Sequence, residues 1–212
     1  MARAAQRCAA TSNTQMGAQQ HNSAIDALLH TIDPIIKHIS ATAEGTRNKK
    51  PPRPTLLAHD IDGAFNNTNP RLLLQVMKQR QMPTYLTNWT SAFTTDRQIA
   101  FGFDQRTEQP QPFTSDLPQG SPLSPVLFLI HANAMLDLQH HAITEPMTSY
   151  VDDISMVQIS STTKRATQRL AERTNHQLER ATHLNLTYSA NKTEMMHCFP
   201  PKSKRRLQGE AA

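Results

Sequence analysis

A chain of 212 residues is long enough to bury a core of its own, and its length suggests one domain with tails. Only 37% of it is hydrophobic, so extended polar ends or reliance on a partner is expected; a net charge of +5 and a pI near 9.5 favour a polyanionic partner. Two cysteines, Cys8 and Cys198, lie near opposite ends, which excludes a disulfide framework and a zinc site; the longest apolar run, Pro125 to Ile130, cannot span a bilayer, and no secretory signal opens the chain. These features predict an intracellular protein, nuclear or cytoplasmic, without membrane association.

Residues 1–20, rich in Ala, Gln, Thr and Ser, show no sustained period and read as a disordered or weakly ordered tail. From Ser23, Ile25, Leu28, Leu29, Ile32, Ile35, Ile36 and Ile39 recur at helical spacing, with a kink or restart expected at Pro34. Thr42 to Pro54 is a polar, basic, proline-rich linker. TLLAHDIDGAF, from Thr55 to Phe65, reads as a buried strand ending at Asp60 and turning at Asp62 and Gly63. Asn69 followed by Pro70 is a helix start, with Leu72, Leu73, Val76 and Met77 on its apolar side. A second helix is expected from Pro83 to Phe93, its Trp89, with Tyr85, Leu86 and Phe93, read as core in preference to a base-stacking platform.

Arg97 to Phe103 reads as a strand, returning through Gln111 to Ser115 as a hairpin. LPQGSPLSP, from Leu117 to Pro125, then opens an apolar helix from Val126 to about Gln139. A loop feeding a helix N-terminus suits an anionic phosphate, although an ordinary helix cap explains it equally well. MTSYVDDISMVQ, from Met147 to Gln158, reads as a β-hairpin with Asp152 and Asp153 at its turn. Two adjacent carboxylates are either solvated or hold a hard divalent cation. Thr163 to Leu184 is an amphipathic helix with Ala166, Leu170, Leu178, Ala181 and Leu184 on one face. Asn191, Lys192 and Thr193 precede a short strand, Met195 to Phe199, and a basic tail follows from Lys202. There is no internal repeat.

Asp60 at a strand end, the Pro/Gly/Ser loop and the aspartate hairpin invite a common explanation. Three carboxylates on two adjacent strands could hold two divalent ions about 3.5–4 Å apart, the arrangement used for nucleotidyl transfer. DIDGAF, LPQGSPLSP, YVDD and NKTE, in this order, resemble motifs A to D of reverse transcriptases. SAIDALLHTI and WTSAFTTDRQIAFGF resemble, more narrowly, segments of non-LTR (LINE-type) retrotransposon enzymes of fungal type, the likeness running from Met16 to Phe199.

The resemblance implies an α+β polymerase palm, an antiparallel sheet with helices packed on one face, over residues 21–200, with partial fingers and no thumb, followed by a basic tail over 201–212. It implies Mg²⁺ as cofactor, two ions with Mn²⁺ as a substitute, held by Asp60, Asp152 and Asp153 with help from the backbone of Ile61. Phe65 would exclude a 2′-OH, Gln119 and Gly120 would lie along the nucleotide and template, Tyr150 would sit beside the primer end, and Lys192 would protonate the leaving pyrophosphate. RNA template, DNA primer, dNTPs and other segments of a parent polyprotein are the implied partners. Departures are Asn66 where the family usually has Asp, Asp116 where it has Gly, and Gln19 and Asn22 where basic residues are common. The expected function is RNA-directed DNA synthesis by a fragment of a retrotransposon enzyme, with a catalytically inactive nucleic-acid-binding remnant as the alternative. A palm-like cyclase is disfavoured by LPQGSPLSP.

Overall fold

The computed structural model describes residues 1–8, 10, 12, 14–44, 53–104, 106–113, 117–136 and 145–199. Asp116, the basic tail, most of the linker after Thr42 and the expected helix end near Gln139 lie outside them. The elements run α1 (Ala2–Arg7), α2 (Ala24–Glu44), β1 (Arg53–Asp62), α3 (Pro70–Gln79), α4 (Thr84–Thr94), β2 (Gln98–Ile99), β3 (Gly102–Phe103), β4 (Arg106–Thr107), β5 (Gln111–Pro112) and α5 (Ser124–Leu136). Then come β6 (Met147–Tyr150), β7 (Asp153–Ser160), α6 (Thr163–His183), β8 (Thr187–Tyr188), a 3₁₀ turn (Ala190–Lys192) and β9 (Glu194–His197).

The central sheet is antiparallel in the order β6-β7-β1-β8, with β9 also paired to β1. Thus β1 has β7 along one side, and β9 and β8 in succession along the other. Strand alternation sorts its residues by face. Leu57, Ile61, Ile154 and Met156 join Leu170 and Ala181 of α6 and the α5 side chains in the main core. Val157 and Ile159 point the other way, against Ile35 of α2. The sheet is therefore backed by α5 and α6, while α2 crosses part of the opposite face.

Local chemistry accounts for the helices. Asn69 accepts backbone hydrogen bonds from Arg71 and Leu72, and Pro70 occupies the first helical position, where a missing N–H is harmless. Ten of the thirteen residues of α5 are buried, as an element apolar on all sides requires. Thr162 caps α6 by accepting from the Arg165 N–H. The helix α2 continues through Pro34, which cannot donate to the carbonyl one turn back. Its buried seam is Ala27, Thr31 and Ile35, at four-residue spacing.

Several elements depart from the sequence reading. Trp89 and Tyr85 are not core residues: α4 buries Thr87 and Thr90, leaving Tyr85 exposed and Trp89 half-exposed, stacked on Phe93 at 5.0 Å. On α6 the inward residue is Gln177 rather than Leu178, because residues 166, 170, 177 and 181 keep the helical phase. The hairpin after Arg97 is broken into two short ladders, β2 with β5 and β3 with β4. Finally, residues 1–20 contain α1 and a segment at Thr14 and Gln15 buried against β6.

Candidate active site

The hairpin β6–β7 pairs Tyr150 with Asp153, so its two-residue loop is Val151–Asp152 and Asp153 is the first residue of β7. The sequence reading placed both aspartates in the turn. The register is instead set by the apolar pattern, since a slip of one would turn Ile154 and Met156 away from the core. The loop demands a positive φ at its first position, where glycine is usual. Val151 adopts it at 58°.

Asp60 lies directly opposite Asp153 on β1. The Ile61 N–H donates to the Asp152 carbonyl at 3.1 Å, which makes 61/152 the hydrogen-bonded position and 60/153 the closer one. Cα atoms at such a position are about 4.5 Å apart and the side chains share a face. Two carboxylates 93 residues apart in the chain, 153 against 60, thus meet on the side of the sheet away from α5 and α6, beside Asp152. Tyr150, opposite Asp153, stands on the same face and is partly exposed.

The field of this cluster acts on the ionisation of its members. Burial, and then the charges of Asp152 and Asp60, push the Asp153 carboxyl above the usual range, while Lys192 pulls the other way. Lys192, at the end of the 3₁₀ turn, places Nζ 2.7 Å from Asp60 Oδ2. That hydrogen bond and charge, with the nearby Asp152 and Asp62, hold the ammonium above its ordinary value. The turn is itself anchored, because the Ser189 N–H donates to the Asp60 carbonyl at 2.9 Å. Behind the site, His59 is buried between Thr193 and Thr174 and lies against Tyr188, and burial lowers its pKa.

Phe65, Gln119 and Gly120 converge as well. With Ser121, Ser124 and Pro125 they line a groove of about 320 Å³ at the start of α5. Phe65 is fixed by the Phe128 ring at 5.7 Å and by its carbonyl, which accepts from Leu117 N–H. Ser124 Oγ donates to the Pro118 carbonyl at 2.6 Å and ties the loop to the helix it opens. Gly120 has φ 86°, a conformation that favours glycine. Asn66 borders a second groove with Gln119, Arg97 and Phe113. Gln15 was missed by sequence reasoning: it is buried and bonded to the hairpin, and the glycine two residues on, in TQMG, was the only local signal.

The donor set suits a hard cation, being carboxylate oxygens whose mutual repulsion an added positive charge would relieve. Among the described residues no three such side chains form a ready-made metal cage, and the Lys192 ammonium already engages Asp60. Asp60, Asp152 and Asp153 are thus of the donor type that suits a divalent ion, and a metal at Asp60 would have to displace the Lys192 ammonium.

An antiparallel sheet with a carboxylate hairpin beside a strand-borne aspartate, backed by two helices, is a polymerase palm joined here to part of the fingers. A family model described as reverse transcriptase (RNA-dependent DNA polymerase) matches residues 4–209, and the chain belongs to that family. Among solved structures it is similar to the apo telomerase of Candida tropicalis truncated from its C-terminal domain (TM-score 0.60, 10% identity, 86% of this chain and 36% of that one). It is also similar to telomerases in complex with the TWJ fragment of telomeric RNA, from Candida tropicalis (0.57, 11%, 78% and 29%) and Candida albicans (0.55, 11%, 89% and 32%). The chain spans about a third of the length of these structures, and at such identity the likeness is one of fold. No curated protein matches.

Proposed function

We propose that this chain is the palm and partial fingers of an RNA-directed DNA polymerase of the non-LTR retrotransposon type, working on an RNA template, a DNA primer and dNTPs. Residues 21–200 form the working domain, and other segments of a parent polyprotein are its natural partners. The observation that carries the reading is the cross-strand pairing of Asp60 with Asp153, with Asp152 adjacent and Lys192 on the Asp60 carboxylate. Asp60, Asp152 and Asp153 are the residues that would hold two Mg²⁺ ions, aided by the Ile61 backbone. Bound ions would lower the pKa of the primer hydroxyl and stabilise charge on pyrophosphate.

The chain's own groups do the rest. Phe65 blocks a 2′-OH, Gln119 and Gly120 orient nucleotide and template, and Tyr150 sits by the primer end. The primer hydroxyl loses its proton to solvent water, and its oxygen forms a bond to the α-phosphorus as the bond to pyrophosphate breaks. Lys192, released from Asp60 once that carboxylate takes a metal, delivers a proton to that leaving group.

The test is primer extension on an RNA template with Mg²⁺ or Mn²⁺, beside Asp152→Asn. Loss of one metal carboxylate is expected to cost several kcal/mol of barrier, at least about a thousandfold in rate. Extension that ignores this substitution would defeat the assignment. A second reading, a remnant that binds nucleic acid without catalysis, draws on the ammonium already seated on Asp60. It predicts binding that weakens steeply with salt and no metal-dependent extension.

A further inference from the structure

The hairpin carries backbone strain at Val151, whose carbonyl Ser149 Oγ of β6 reaches only at 3.5 Å. Val151, a β-branched residue, sits at φ 58°, and it is the residue immediately before Asp152. A conformation of this kind persists only where surrounding structure holds it. What holds it comes from the far end of the chain. Gln15 is 1% exposed, and its carboxamide makes three hydrogen bonds to the hairpin and one to Gly17. Its Nε2 donates to Ser149 Oγ at 3.0 Å and to the Val151 carbonyl at 3.3 Å. Its Oε1 accepts the Val151 N–H at 3.0 Å and the Gly17 N–H at 2.9 Å. One amide thus grips both the donor and the acceptor of the strained residue.

The backbone around Gln15 is fixed to the same strand. Met16 N–H donates to the Ser149 carbonyl at 2.7 Å and Ser149 N–H to the Thr14 carbonyl at 2.8 Å, a parallel bridge along the outer edge of β6. Gly17 makes the approach sterically feasible. A Cβ there would lie 2.5 Å from both Val151 Cγ2 and the Val151 nitrogen, and its φ is not of the kind that demands glycine. Glycine at residue 17 therefore serves close contact with the hairpin rather than a turn.

We propose that Gln15 is a positioning residue of the active site: its carboxamide locks the Val151 peptide, and so aims Asp152 and Asp153, while Gly17 admits the segment to that contact. The proposal deepens the polymerase reading and rests on it for the roles of the two aspartates. Gln15 touches no nucleotide-groove residue, so its loss lowers kcat and leaves the KM for dNTP in place.

The experiment compares wild type with Gln15→Leu, Gln15→Glu and Gly17→Ala by amide hydrogen exchange and by primer extension. In Gln15→Leu the Val151 amide is expected to exchange at least about tenfold faster, with Leu57 and Met156 in mid-sheet unchanged. Gln15→Glu, which keeps the acceptor, restores part of the protection. Gly17→Ala, with Gln15 intact, loosens the same amide by displacing the contact. In a Val151→Gly background, where a positive φ carries little strain, Gln15→Leu should lose most of its effect on kcat. Val151 exchange that ignores Gln15, or equal acceleration at Leu57 and Met156, overturns the proposal. A wild-type chain with this exchange pattern but no primer extension overturns the polymerase reading and leaves the clamp standing. Metal-dependent extension with unaltered Val151 exchange does the reverse.

Discussion

At the scale of single residues, the site concentrates negative charge where folding alone would avoid it. Asp60 and Asp153 stand opposite each other on antiparallel strands, and like charges so placed destabilise a sheet by about 0.2–1 kcal/mol. Burial and the charges of Asp152 and Asp60 raise the Asp153 pKa, so the folded state binds its proton more readily than the unfolded state. Ionised Asp153 accordingly weakens the fold at neutral pH, and the penalty fades as the pH falls into the carboxylate range. Asp153→Asn should therefore stabilise the protein by about 0.2–1 kcal/mol at pH 7 in urea unfolding without divalent ions, and by less in 1 M salt. The same substitution should abolish metal-dependent extension, and a destabilised variant would show that the carboxylates do not repel. Lys192→Met tests the partner group. Its side chain is two-thirds exposed, so solvent screens its ion pair with Asp60 and the urea midpoint should barely move. A large loss of kcat with an unmoved midpoint would assign Lys192 to chemistry rather than to folding.

Elements differ in how their sequences announce them. The helix α3 is written in full: an Asn cap, a proline at the first position, and Leu73, Val76 and Met77 at helical spacing. Asn69→Ala should cost about 1 kcal/mol of stability by urea titration, and Leu73→Ala, at a site with no exposure, about 2–5 kcal/mol. Strand β1, helix α6 and the aspartate hairpin were legible from their apolar periods, and α5 from a continuous apolar run. Legibility failed where a contact is polar and distant. Gln15 reaches Ser149 and Val151 across more than 130 positions, and nothing periodic marks a residue whose partners are backbone atoms elsewhere. The one-residue offset of the hairpin turn has a related cause. Local propensity favours Asp-Asp in a turn, yet tertiary register put Val151 there and left Gln15 to hold it. Trp89 is the converse case: the period placed it on a helix correctly, but the packing of α4 through Thr87 and Thr90 left its ring half in solvent. The approach of Asp60 to Asp153 was expected from their shared chemistry and then from the resemblance, since no spacing in the chain specifies which strands become neighbours.

At the scale of the whole molecule, the two helices behind the sheet are joined by a buried histidine, and this makes the fold sensitive to acid. His131 of α5 has no exposure, and its Nε2 donates to the Leu184 carbonyl at 2.8 Å, where α6 ends and the chain turns toward β8 and Lys192. Among the described residues its Nδ1 has no hydrogen-bond partner, so the neutral tautomer fits the core and a second proton does not. Burial accordingly lowers its pKa, against a smaller opposing effect of the Leu184 bond, and His59 behind the carboxylates is lowered by burial in the same way. Below the unfolded value of about 6.5 the unfolded chain binds protons that the native state refuses. Stability is therefore at its full value above about pH 6.5 and declines as the pH falls toward the depressed folded pKa, below which the histidine contribution is flat. Urea unfolding between pH 5 and 7.5 should show this decline, and His131→Gln should reduce its slope because glutamine keeps a donor for Leu184 without titrating. The variant will be less stable than wild type at pH 7.5 through imperfect packing, so the informative quantity is the pH dependence and not the midpoint. An unchanged slope would mean that His131 does not couple α5 to α6 through its neutral form, and that the acid sensitivity lies elsewhere in the fold.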